Sequence, residues 1–189
     1  MANNLEFARM HPENFFWPSV IPNPEQIAER LARTALILKV CPIQIDRFEE
    51  WWIVAAQRDW LQIEVRRYDG IPGNYHVNEL FDNYVPFPIA GPNSVRGEII
   101  VKAFARDVVI YGLEGEVTIQ GECPKLQFLR DYVRSAYHSF RVIAFQMGYA
   151  ITYSSDGDVV IKGGKTEVQN MSRVIKKLYP RQRIIEQME

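Results

Sequence analysis

The chain has 189 residues, 47% of them hydrophobic and 12% aromatic, with a formal net charge of −1 at pH 7. That length fits one domain, or one domain with an appended segment, and the apolar content supplies a sizeable core, which excludes a disordered chain and a disulfide-stapled scaffold. No apolar run is long enough to cross a bilayer, and Met1-Ala2-Asn3-Asn4-Leu5-Glu6 lacks the basic-then-apolar pattern of a signal peptide, so a cytoplasmic protein with no membrane partner is expected.

Residues 1–22 read as an aromatic arm in which Phe7, Met10, Phe15, Phe16, Trp17 and Ile21 are punctuated by Pro18 and Pro22, through which no helix runs. Such apolar content must be covered. Packing on the same chain is the expectation, and exchange between protomers, giving a homo-oligomer, is the alternative. Residues 23–189 read as a single α+β domain. Asn23-Pro24-Glu25-Gln26 starts its first helix, with Asn as N-cap and Pro at the first helical position. That helix reaches about Val40, and Pro42 stops it. Cys41 and Cys123 have no partner spacing and read as reduced, buried thiols rather than a disulfide or a metal site.

Three strand-like runs follow: Ile43–Ile45, Trp51–Ala56 and Leu61–Arg66, with turns at Glu49-Glu50 and Arg58-Asp59. Adjacent residues on a strand point to opposite faces, so Trp51 and Trp52 imply a sheet covered on both sides. Asp69 to Asn93 is irregular, with a short helix through Leu80 and aromatic residues at Tyr75, Phe81, Tyr84 and Phe87. A loop of that length suits a pocket wall or a partner-binding element, or an irregular cap over the open end of the sheet.

Val95 to Gln120 reads as a three-strand meander: Glu98–Phe104, Asp107–Tyr111 and Glu116–Gln120. Pro124 to Gly148 is the longest helical pattern. Leu126, Leu129, Tyr132, Val133, Tyr137, Phe140, Ile143 and Met147 share one arc, and Arg130, Arg134, His138 and Arg141 form a cationic stripe beside it. A hairpin follows, Tyr149–Tyr153 and Val159–Lys162, turned by Asp156-Gly157-Asp158. The last helix runs from Lys165 to Tyr179, with Val168, Met171, Ile175 and Leu178 inward and Lys165, Gln169, Arg173, Lys176 and Lys177 outward. The expected fold is α+β. Its mainly antiparallel sheet, two meanders plus a C-terminal hairpin, packs against the long helix and is flanked by the N- and C-terminal helices.

The charge is unevenly spread. Residues 1–161 carry 15 Lys and Arg against 20 Asp and Glu, whereas residues 162–183 carry seven basic residues against Glu167 alone. A basic end on an acidic body either recognises an anion or is attracted to the rest of its own fold.

Gly163-Gly164-Lys165-Thr166 lies between a strand and a helix, as a phosphate-binding loop would. The earlier glycine of that motif is Val159 here, which argues against a nucleotide hydrolase. A helix start with Lys165 in its first turn still offers unpaired N–H groups and a cation to an anion. The two cationic sets, Arg130, Arg134, His138 and Arg141 with Lys165, Arg173, Lys176 and Lys177, suit a phosphate backbone if they share one surface, and Tyr137 and Tyr179 could then stack on bases. No helix-turn-helix, zinc or RNA-sheet signature accompanies them.

Catalytic groups are sparse. His11, His76 and His138 are isolated, and His138 and Ser139, as helical neighbours, would point apart. Asp59 with Glu64-Val65-Arg66 offers two carboxylates and a cation of the kind metal-dependent nucleases use, with Arg in place of Lys. His76, Glu79 and Asp82, near Asp69, form the other acid–base group. The expectation is therefore a non-enzymatic binding module, with no cofactor and no metal. Its partner would be an anionic macromolecule or another protein, with nucleic acid among the candidates. The alternative is a small hydrolase with its site under residues 69–93. The preferred reading requires Arg134 and Lys177 to face the same way.

Overall fold

A computed structural model describes residues 3–16, 21–62, 65–66, 72–73, 75–85, 95–112, 114–122 and 126–189. The arm begins with a helix the sequence reading did not assign, α1 (Asn4–Met10). Asn3 caps it by accepting a hydrogen bond from the Leu5 amide at 2.7 Å, and Pro12 opens the 3-10 turn that follows. Helix α2 (Pro24–Ile37) starts on Asn23 and ends before Val40, with Lys39 at φ 58°. Cys41 lies beyond that stop and is exposed, not buried as expected, because the chain has already left the helix and turned outward. Cys123 lies outside the described residues.

Strands β1 (Ile43–Phe48) and β2 (Trp51–Ala56) form an antiparallel hairpin. Of the described residues of the third expected run, Val65–Arg66 form strand β3, paired with β4 (Pro72–Gly73), while Leu61 is buried in a turn. Helix α3 (Val77–Asp82) is the short helix expected through Leu80. Next come α4 (Glu98–Phe104), β5 (Ala105–Gly112), β6 (Gly115–Gln120), α5 (Leu126–Ala136), β7 (Arg141–Met147) and β8 (Tyr149–Tyr153). The chain closes with β9 (Val159–Gly163), α6 (Lys165–Leu178) and β10 (Ile184–Met188), the last strand also unassigned from sequence.

Two elements change type. The expected helix of residues 124–148 is α5 only as far as Ala136; a turn through His138 and Ser139 then leads into β7. The expected strand Glu98–Phe104 is helix α4. Both are apolar runs buried nearly all round, and such a run carries no solvent-facing period to distinguish helix from strand.

Strand β7 is the centre of the main sheet. Its order is β1-β2-β7-β5-β6, every neighbour antiparallel, so β7 joins the two hairpins: Ile143 pairs with Val54 on one side and Ile110 on the other. A second sheet has the order β10-β9-β8, with β9 antiparallel to β8 and parallel to β10. Only Gly148 separates β7 from β8. Gly163 passes so close to it that a Cβ on Gly163 would sit 2.3 Å from the Gly148 carbonyl oxygen, at a φ of 154°.

The main sheet has an apolar layer on each face, as the adjacent tryptophans implied. On one side Ile53, Val109 and Val142 pack with Leu129 and Val133 of α5 and with Tyr137 just past its end. On the other, Val54, Val108, Ile143 and Phe145 join a larger core with Leu31 of α2, Ile100 of α4 and Val168 and Ile175 of α6. The arm contributes Ala8 and Phe16 to that core. The architecture is α+β with a mainly antiparallel sheet system.

Three polar ties cross these layers. The Tyr132 and Tyr137 hydroxyls each donate to Asp46 Oδ2 at 2.7 Å, fastening α5 to edge strand β1. Arg141 of β7 pairs with Asp59 just beyond β2. Arg96, 1% exposed, donates through Nη2 to Glu98 Oε1 at 2.7 Å and to the Trp60 carbonyl at 3.1 Å, and Glu98 itself has no exposure. An ion pair this deep persists only because its partners are geometrically matched.

Candidate functional site

Helix α6 forms as its sequence dictates: Val168, Met171 and Ile175 turn inward, leaving Lys165, Arg173, Lys176 and Lys177 outward. Part of the positive charge of residues 162–183 is absorbed locally. Lys162 meets Glu189 at 3.2 Å, Lys176 meets Glu186 at 3.5 Å and Arg183 meets Asp158 at 3.6 Å. The Glu186 carboxyl, which also accepts from Ser172 at 2.5 Å, is held below the usual carboxylate range chiefly by that hydroxyl. Among the described residues, Lys165, Arg173, Lys177 and Arg181 have no carboxylate within 4 Å, although Lys177 is near enough to Glu13 for its charge to help lower that carboxyl's pKa. Lys177 Nζ donates to the Met10 carbonyl at 3.2 Å, which links α6 to the arm.

The start of α6 is occupied by the chain's own acid. A Cβ on Gly164 would lie 2.5 Å from Glu167 Oε2, and one on Gly148 would lie 2.7 Å from Glu167 Cγ, so this carboxylate covers the two-glycine turn. The helix start that the sequence offers to an external anion beside Lys165 thus already has a negative side chain next to it.

Between α1 and α6 lies a groove of about 630 Å³. Its floor is apolar, built from Leu5, Met10, Phe104, Met171 and Val174, and Arg173 and Lys177 stand on its rim. Arg9 and Arg106 also reach it, but both are engaged: Arg9 Nε donates to the Ala103 carbonyl at 2.8 Å, and Arg106 Nε to Asp107 at 2.7 Å. Glu6 and Glu167 are the acids of the same lining. Tyr149 forms part of the wall. Its hydroxyl is sealed from solvent without a hydrogen-bond partner among the described residues, and burial pushes its pKa up.

The residues singled out on α5 are partly gathered. Arg130, Arg134 and His138 line a cleft of about 80 Å³ beside the β5–β6 hairpin, yet Arg130 is held by Glu116 at 2.7 Å. Arg134 and His138 are exposed. Arg141 is not on the helix: it lies on β7, its guanidinium paired with Asp59 and packed on Gly112. Tyr137 is 6% exposed and committed to Asp46, so it offers no stacking surface, whereas Tyr179 is exposed. The decisive placement is that α5 belongs to one apolar layer of the sheet and α6 to the other. Arg134 and Lys177 therefore stand on helices whose inner sides pack into different buried clusters.

The acid–base residues near the irregular loop have structural partners. Glu79 Oε2 accepts from the His76 amide at 2.7 Å, closing the first turn of α3, and Asp82 receives Lys102 Nζ at 2.6 Å. The His76 side chain is exposed. Asp59 is taken by Arg141, and Glu64 and Asp69 lie outside the described residues.

No protein-family model, curated protein or solved structure shows a significant match to this chain. The site is thus read from its own chemistry. The sequence shows Arg173 and Lys177 but not the floor beneath them, because the pattern at Phe104 reads as a strand and α1 lies in an arm punctuated by prolines. The signal for α1 was present in Asn3, an N-cap residue just before Leu5 and Phe7.

Proposed function

We propose that this chain is a binding module that engages an anionic partner through the α6 surface and the groove beside it. The observation that carries the reading is that Arg173 and Lys177, neither with a carboxylate within 4 Å among the described residues, stand on the rim of the 630 Å³ groove. A charge left unpaired in the folded chain is available to a ligand at no cost in internal ion pairs. The sequence expectation of two merged basic faces is narrowed to α6, since α5 lies across the sheet and two of its four assigned cations are paired internally. An enzymatic role under the irregular loop has less support, because Glu79 and Asp82 are spent on holding α3.

Nucleic acid is the anionic class tested first. Fluorescence anisotropy with a labelled single strand and the matching duplex, titrated from low to physiological salt, reads both affinity and counterion release. Binding is expected to weaken as salt rises, and the paired substitution Arg173→Glu and Lys177→Glu should reduce the slope of log K against log salt by about 1.5. An acidic peptide run alongside separates general anion binding from a nucleic-acid preference. Absence of binding to all three probes at low salt, or binding that the double substitution leaves unchanged, overturns the reading.

A further inference from the structure

We infer that the groove between α1 and α6 takes a small amphipathic anion: an aliphatic tail lies along Leu5, Phe104, Met171 and Val174, and a carboxylate-type head group meets Arg173 and Lys177. The inference rests on the reading of α6 as the anion-binding surface and adds the chemistry of the ligand. Size sets the class. A two-turn helix with its side chains occupies on the order of 1000 Å³, more than the groove's 630 Å³. A single hydrocarbon chain with a compact head fits, and the volume falls in the range of small-molecule sites, roughly 300–1,000 Å³.

The lining is divided as such a ligand requires. Met171 and Val174 are buried floor residues one turn apart on the inner side of α6, and Arg173 projects outward from between them. Phe104, at the end of α4, closes the floor from the opposite side. The head group is placed on α6 because Arg173 and Lys177 stand one turn apart on the rim with no carboxylate within 4 Å among the described residues, whereas Arg106 is paired with Asp107. Arg9 Nε is tied to the Ala103 carbonyl, as Lys177 Nζ is to that of Met10. Glu6 and Glu167 on the same lining exclude a dianionic or extended polyanionic ligand from the floor, and a tail without charge passes them freely. Met residues accommodate tails of differing shape, which suits Met10 and Met171 to a floor that accepts a family of chain lengths.

Isothermal titration of the full chain with butyrate, decanoate and decanol tests head and tail separately. Each methylene transferred from water into an apolar site strengthens binding about fourfold, and the groove is open along one side, so decanoate should bind at least a hundredfold more tightly than butyrate. Decanol should bind about tenfold more weakly than decanoate. That preference should disappear in the Arg173→Gln, Lys177→Gln double variant, whose two changes are at exposed positions. Equal affinity for butyrate and decanoate would overturn the inference and leave the anion-binding reading intact. Equal affinity for decanoate and decanol, unaffected by the double variant, would overturn the reading of α6 itself. Heteronuclear NMR shifts on decanoate addition should centre on Leu5, Phe104 and Met171; shifts elsewhere would place the tail outside the groove and refute the assignment.

Discussion

Replacing Asp46 by Asn should weaken the joint between α5 and the edge of the main sheet by about 2–3 kcal/mol. The carboxylate receives both the Tyr132 and Tyr137 hydroxyls at 2.7 Å, and its other oxygen accepts the Arg47 amide at 2.7 Å. A hydrogen bond to a charged group contributes about 1.5–3 kcal/mol, and the half-exposed position of Asp46 puts each of these near the lower end. Tyr137 is 6% exposed, so its hydroxyl recovers little solvation when the partner weakens. With a urea slope of about 2 kcal/mol/M, the unfolding midpoint should fall by roughly 1–1.5 M. A double-mutant cycle with Tyr137→Phe should return a coupling of about 1 kcal/mol or more.

The pH dependence has a defined sign. The hydroxyl of Tyr132, then that of Tyr137, holds the Asp46 carboxyl below its ordinary range. The folded value is therefore the lower one. The stabilisation is complete above the unfolded value of about 3.9 and is lost as pH falls through the depressed folded value. The parent and D46N should differ at pH 7 and converge as pH falls through the depressed folded value, as read by urea melts followed by circular dichroism. A midpoint within about 0.2 M of the parent at pH 7, or a difference that persists unchanged into acid, would refute the role given to the carboxylate.

Further substitutions probe the layers. Glu98→Gln strands the Arg96 guanidinium, 1% exposed, without its counter-charge and should cost about 3–5 kcal/mol in thermal or urea unfolding, whereas Arg96→Met with Glu98→Leu should recover most of that loss. If E98Q is as stable as the parent, the pair is not buried. Gly163→Ala drives a methyl against the Gly148 carbonyl at a φ of 154° and should cost more than about 3 kcal/mol, while Gly115→Ala, at φ 121° with no atom within 4 Å, should cost about 1–2 kcal/mol. Equal losses at the two glycines would show that the β8–β9 contact is slack.

Much of the local structure is legible in the chain. Asn23-Pro24 starts α2, the Asp156-Gly157 turn separates β8 from β9, and the alternation of Val168, Met171 and Ile175 with outward lysines describes α6, all because one side of each element faces water. Legibility fails where water is absent from both sides. Val142-Ile143-Ala144-Phe145 fits a helical arc as well as a central strand, and Glu98–Phe104 reads as a strand although it is the buried helix α4. For the candidate site, outward cations on α6 were visible for the same reason that its period was visible. The groove floor was not, because it is assembled from α1, α4 and α6, elements far apart in the chain.

Sequence by itself determined an α+β chain with no long apolar span, a basic C-terminal segment, and the residues that turn outward along α6. Tertiary structure alone decided that β7 sits between the two hairpins, and so placed α5 and α6 in opposite layers. The physical reason is that side-chain period reports only the contrast between core and solvent along one element. Which elements share a face depends on strand order, and strand order is set by contacts between segments that no local pattern records.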